Sequence, residues 1–359
     1  MEIVNEPVSI DFDFYNKQID EYVSRVKEVP GVCSIYLMGS INAPGLSDID
    51  VLVVVSDDFD RDNSKALSVL DLDSRVFLHG PIIIPKSLSQ KVQYIFYASN
   101  LSCIYGDECL QAWEDLRAGE RKKLAACYLI DFIESRFMQF SSIGCSKIDK
   151  RAWLTRIWST VHSLELYQCA FENGVPERVS SLAELVKRTR SDWLEFGVVK
   201  EKVFLDGLKA SAEINEFIFF NALERLYGCP IINGKFRIVS GSRSIKFHNN
   251  MQGKKKYYLA GYKLLNKHLN IFVAEHGPSY LAHLEHYSDI KIGWHYFPRK
   301  NEELERVKFK RKEIVACHNF WINSHAPKSG SMRGYLGVDN GLALGLKGRI
   351  KSVLSYLVF

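Results

Sequence analysis

Two carboxylates, Asp48 and Asp50, stand at i and i+2 where the apolar run Val51-Leu52-Val53-Val54-Val55 begins. Residues so spaced on a strand project from one face, so the pair can jointly ligate a hard divalent cation while Ile49 and Val51 turn to a core. Upstream, Gly39-Ser40 closes a second apolar run, Val32 to Met38. A glycine there lets the backbone approach a phosphate closely, and a helix starting after it would offer amide N–H groups beside the serine hydroxyl. Phosphates and Mg²⁺ would then meet at one edge of a sheet.

Holding these groups together requires a helix and at least two strands. Phe14, Ile19, Tyr22, Val23, Val26 and Val29 fall mostly on one helical face, which predicts a helix over Asp13–Val29 with Asp11 or Asp13 as its cap and Pro30-Gly31 as its stop. Strands follow at Val32–Met38 and Ile49–Val55, separated by the turn-rich Asn42–Ser47, and the second is β-branched enough to be central. A short helix is expected around Lys65–Leu70. Arg75–Leu78 is expected as a third strand, with Ile82-Ile83-Ile84 extending it or starting another. From about Lys86 helical periodicity takes over, through Leu124–Phe140, Arg151–Phe171, Ser181–Arg190 and Glu201–Tyr227. Phe236–Phe247 alternates like a hairpin, Tyr257–Phe272 reads as helical and Val307–Ile322 fits either pattern. The expected division is therefore 1–95, 96–228 and 229–359.

Strand, Gly39-Ser40, a short loop, then Ser47-Asp48-Ile49-Asp50 opening an apolar strand resembles the signature of the DNA polymerase β-like nucleotidyltransferase superfamily, in the N-terminal region only. Ile104-Tyr105-Gly106-Asp107-Glu108 also resembles a segment that follows the core in small bacterial members; otherwise it reads as a Gly-centred turn. The resemblance implies an α/β (α+β) nucleotidyltransferase core with a mixed sheet, then a mainly helical domain and a C-terminal α/β region. It further implies that Gly39 and Ser40 bind a nucleoside triphosphate such as ATP, and that Asp48 and Asp50 are catalytic ligands of Mg²⁺ (or Mn²⁺). The reaction would move a nucleoside monophosphate to a hydroxyl-bearing acceptor and release pyrophosphate. The acceptor could be a small molecule, a nucleotide, an RNA end or a protein side chain.

Active members of that superfamily usually supply a third carboxylate from a later strand, and Arg75–Leu78 contains none. Asp71 and Asp73 lie just before it. His79 stands near the expected place and could serve as a base, or could simply pack at a strand end before Gly80-Pro81. The gap motivates an alternative: a catalytically silent nucleotidyltransferase fold that binds a nucleotide or a partner.

The remaining features are blander. A net charge of +5 over 359 residues permits an anionic substrate without demanding a polyanion. The basic runs Lys254-Lys255-Lys256 and Lys308 to Lys312 read as solvated surface, so nucleic acid is possible but not favoured. His276, His283, His286 and His295 have no matching Cys or carboxylate spacing for a metal site. The eight cysteines form no CxxC pair and read as reduced, mostly buried thiols. No apolar run is long enough to span a membrane, the N-terminus does not read as a signal peptide, and the tail from Leu342 reads as a docked helix, so a cytoplasmic location is expected.

Overall fold

The computed structural model describes residues 3–78, 80–141, 148–172, 174–227, 236–240, 243–247, 292–293 and 302–325. After a short strand β1 (Ile3–Val4), helix α1 spans Phe12–Val26, and the side chain of its N-cap Asp11 accepts from Asp13 N. Tyr15, Ile19, Tyr22 and Val26, spaced by three or four residues, form its buried stripe. Each such side chain stabilises by roughly 1.5–3 kcal/mol when withdrawn from water.

The stripe lies against a mixed sheet. β2 (Val32–Met38) and β3 (Asp50–Val55) are antiparallel, with Tyr36 opposite Leu52 and Met38 opposite Asp50. β4 (Ile82–Pro85) runs parallel to β3, and the sheet order places β4 and a fourth strand, β5 (Ser102–Gly106), at its edges. The helix expected around Lys65–Leu70 is a 3-10 segment over Arg61–Leu67. The strand expected at Arg75–Leu78 is a turn: Val76 and Phe77 are buried as strand residues would be, but Val76 N bonds back to Asp73 O, and Val76 O accepts from Ile49 N. The actual strand is Ile82–Pro85.

Parity decides what each face of the sheet meets. Ile35, Val51, Val53, Val55 and Ile83 pack toward α1, whereas Tyr36, Leu52, Val54, Ile82 and Ile84 join the core of a helical layer. A short α2 (Val92–Ile95) leads to β5; the layer itself comprises α3 (Ala118–Ser141), α4 (Lys150–Phe171), α5 (Glu177–Phe196) and α6 (Glu201–Tyr227), with a two-residue strand β6 (Ile148–Asp149) pairing with β1. The four helices match the helical segments read from periodicity, the first three extended by one to six residues at an end and α6 with the same bounds.

The expected hairpin is present as β7 (Phe236–Ser240) and β8 (Arg243–Phe247), joined by β9 (Ile292–Gly293). Tyr257–Phe272, His276, His283, His286, His295, Lys254–Lys256 and the tail from Leu342 lie outside the described residues. The segment that fitted either pattern is a helix, α7 (Glu302–His325), which returns to the sheet. There His318 bonds Ile83 O at 2.8 Å, on edge strand β4, and Trp321 donates to Asp57 O at 3.1 Å. The basic run on α7 contributes to docking rather than forming a merely solvated face: Lys310 Nζ donates to Tyr94 Oη at 2.6 Å, and the Arg311 guanidinium lies 4.5 Å from the Tyr128 ring. Of the cysteines described only Cys127 is buried and Cys317 is exposed, against the expectation of mostly buried thiols. No described helix is long and apolar enough to cross a membrane.

Candidate functional site

Asp50 opens β3 on the face shared with Leu52 and Val54, and therefore looks toward the helical layer. Gly39 follows β2 at φ +77°, a backbone conformation that disfavours any side chain, and a Cβ placed on it would stand 3.6 Å from Asp50 Oδ2. The glycine thus leaves its backbone bare beside the carboxylate. Its N–H is already engaged, donating to Ser99 O at 2.9 Å. No helix begins after Ser40; its exposed side chain instead accepts from Asn42 N at 3.2 Å, closing a local turn. Any phosphate contact here would use loop backbone and this hydroxyl, without a helix dipole.

Asp48 precedes the strand on a turn that is clamped from several sides. Tyr15 Oη donates to Ser47 O at 2.6 Å and accepts from Gly45 N at 3.0 Å. Burial and the charge of Asp48 both raise the Tyr15 pKa, burial more, which keeps the phenol a donor. From α4, Thr155 Oγ1 donates to Leu46 O at 3.0 Å and Arg151 Nε to Gly45 O at 3.2 Å. Gly45, at φ +87°, is pressed so closely between Val8 O and Trp193 of α5 that a Cβ would lie 2.2 Å from the former and 2.9 Å from the latter.

Arg190 of α5 completes this side. It is 8% exposed, donates from Nη2 to Ser47 Oγ at 3.1 Å, and lies 4.7 Å from the Trp158 ring centroid. Burial lowers its pKa to about 10 while the charge of Asp48 opposes the shift, so the guanidinium stays cationic at neutral pH. Trp158 packs edge-on with His162, 6.1 Å between centroids, and His162 Nδ1 is 3.1 Å from Glu165 Oε2. Glu165 acts in turn on Tyr97, whose hydroxyl hydrogen-bonds the Ser99 side chain and whose pKa is pushed up to about 12, chiefly by burial. Ser99 in turn holds Gly39, through its backbone oxygen.

The carboxylates expected nearby take other partners. Asp71 Oδ2 pairs with Arg25 Nη1 at 2.5 Å and Asp73 Oδ2 with Arg75 Nη2 at 2.6 Å, and β4 carries no acid. His79 lies outside the described residues. Among the described residues no three His, Cys, Asp or Glu side chains are grouped to hold a metal ion. Two carboxylates still suit Mg²⁺, which keeps several waters and is typically held by one or two carboxylates together with substrate phosphates. The pair therefore fits a cation that arrives with a phosphate ligand.

Arg190, Trp158 and the His162–Glu165 pair were missed in the sequence. His162-x-x-Glu165 has the spacing of a helical i, i+3 pair, the one available signal; nothing local marks Arg190. The chain matches no protein-family model, no curated protein and no solved structure.

Proposed function

We propose that the chain is a Mg²⁺-dependent (or Mn²⁺-dependent) nucleotidyltransferase that moves a nucleoside monophosphate from a nucleoside triphosphate to a hydroxyl acceptor. The observation that carries the reading is the placing of Asp50, beside bare Gly39 and near Asp48, on the sheet face turned to a helical layer that presents a buried cation and a His–Glu pair. A cation held by Asp48 and Asp50 would withdraw charge from the phosphates in the transition state. The acceptor oxygen bonds to the α-phosphorus, the bond from that phosphorus to its bridging oxygen breaks, and pyrophosphate leaves with the electron pair. In the tautomer that donates from His162 Nδ1 to Glu165, Nε2 would have a lone pair for the acceptor proton. His162 thereby offers the base function that neither β4 nor the acids before it supply.

Pyrophosphate release from each ribonucleoside triphosphate tests this, with a cell extract as acceptor source and Asp48→Asn, Asp50→Asn as the comparison. Release by the natural chain that disappears in the double variant, with its melting curve preserved, is the expected result. The acid-free strand β4 favours a second reading, a silent module of the same fold. Nucleotide binding without turnover across acceptors would select that module.

A further inference from the structure

Resting on the transferase reading, a question of charge follows from the geometry. Stabilising a departing pyrophosphate requires positive charge, which two divalent cations can provide when three carboxylates hold them. The described site has two carboxylates, with no third grouped beside them among the described residues, and a guanidinium packed against the same turn. We propose that Arg190 is a fixed phosphate-binding cation that contacts the pyrophosphate portion of the triphosphate, so that the site operates with a single divalent ion.

Three observations support this assignment. Arg190 has five N–H donors, and the Ser47 hydroxyl is its one hydrogen-bond acceptor among the described residues. The other donors are free to take phosphate oxygens, for which a planar guanidinium is well matched. Stacking on Trp158 and the bond to Ser47 fix the group before any ligand arrives, so little reorganisation is needed to meet the anion. Finally, a structural tie alone does not require a charge at this place. The turn is already held by Tyr15, Thr155 and Arg151, and the cost of burying the Arg190 guanidinium exceeds what the nearby charge of Asp48 returns.

The test uses the full chain, with inorganic pyrophosphate, ATP and AMP as probes in Mg²⁺, followed by calorimetry. Arg190→Met is expected to weaken pyrophosphate and ATP binding by about 10- to 100-fold, the equivalent of a charge-assisted hydrogen bond or two, and to leave AMP affinity unchanged. Arg190→Lys keeps the charge but not the fork and should fall between. A folded Arg190→Met chain that binds pyrophosphate as tightly as the natural one overturns the assignment.

A second measurement needs no variant: Mn²⁺ bound per chain with pyrophosphate present, counted by electron paramagnetic resonance. One ion is expected, and two would overturn the single-ion site even if Arg190→Met fails to fold. Should the natural chain bind neither ATP nor pyrophosphate, the transferase reading itself falls and takes this inference with it. Loss confined to the Arg190 variants would uphold the assignment of Arg190, while pyrophosphate release decides the transferase reading separately.

Discussion

Tyr15 reaches from α1 to the turn before Asp48, where one phenol satisfies the buried Gly45 N–H and Ser47 carbonyl together. Removing it in Tyr15→Phe leaves both groups without that partner in a dry setting. A loss of about 2 kcal/mol is expected, because an unsatisfied buried polar group costs about 1–3 kcal/mol. Urea unfolding monitored by circular dichroism would show it as a lower midpoint at unchanged slope. Since the same turn carries Asp48, pyrophosphate release should fall more steeply than stability in this variant. At this scale the sequence was legible where chemistry is local: Gly39, Asp48 and Asp50 could be read from type and spacing. Arg190 could not, because its neighbours Ser47 and Asp48 lie far away along the chain and meet it only after α5 packs over the sheet.

The position of Arg190 depends in turn on how α5 meets α6. Gly207 of α6 faces Thr189 so closely that an added Cβ would stand 2.4 Å from its Oγ1. In an isolated helix Gly→Ala would stabilise by about 1 kcal/mol, yet here overpacking of about 1–3 kcal/mol opposes it. Gly207→Ala is therefore expected to lower the melting temperature and, by displacing the neighbour of Arg190, to weaken pyrophosphate binding. Thr189→Ala in the same chain should restore part of both, and calorimetric melts of the two single variants and the double one would measure the coupling.

The docking of α7 has a different sensitivity. His318 is 2% exposed, Ile83 O is its partner, and Nδ1 has none among the described residues. Burial, partly opposed by that bond, holds its pKa below the ordinary 6.5. The unfolded chain thus binds the more protons in acid. The contribution of His318 is intact above pH 6.5 and is lost as pH falls from there through the folded value. His318→Gln should flatten that part of the stability profile, as read from urea midpoints across the acid range.

Elements were legible where burial was complete and periodic. β3 declares itself through its β-branched run, and the helical segments through their apolar spacing. β5 did not, because it is a partly exposed edge strand that ends on Gly106 at φ +79°, a glycine that reads equally well as a turn. The misread third strand has the opposite cause, apolar residues at Val76 and Phe77 that are buried by a turn. α7 was ambiguous because much of its docking uses Lys310, Arg311, His318 and Trp321, polar and aromatic contacts that leave little apolar periodicity.

At the scale of the molecule, the sequence suggested a boundary near residue 95, whereas the packing joins what lies on either side. One continuous core runs from Tyr36, Leu52, Val54, Ile82 and Ile84 of the sheet to Leu154, Trp193, Phe204 and Ile218 of the helices. The sheet has its own second core under α1, but that covers only the opposite face. Residues 1–117 made alone would therefore keep only the short segments carrying Leu88, Val92, Tyr94 and Trp113 on this sheet face, and would expose the apolar surface that α3 to α6 cover, together with the turn that α4 and α5 clamp. Such a fragment is expected to bind an apolar dye strongly and to show little amide-exchange protection in β3 and β4. In the full chain, circular dichroism and tryptophan fluorescence should report the same urea transition for the sheet and the helical layer, because neither buries its apolar face without the other. A fragment with protected strands and no dye binding would mean that α1 and the short segments from Leu88 to Leu116 suffice to fold the sheet. The site's two halves would then be free to part, and the fixed approach of Arg190 to Asp48 would have to be re-established each time a ligand binds.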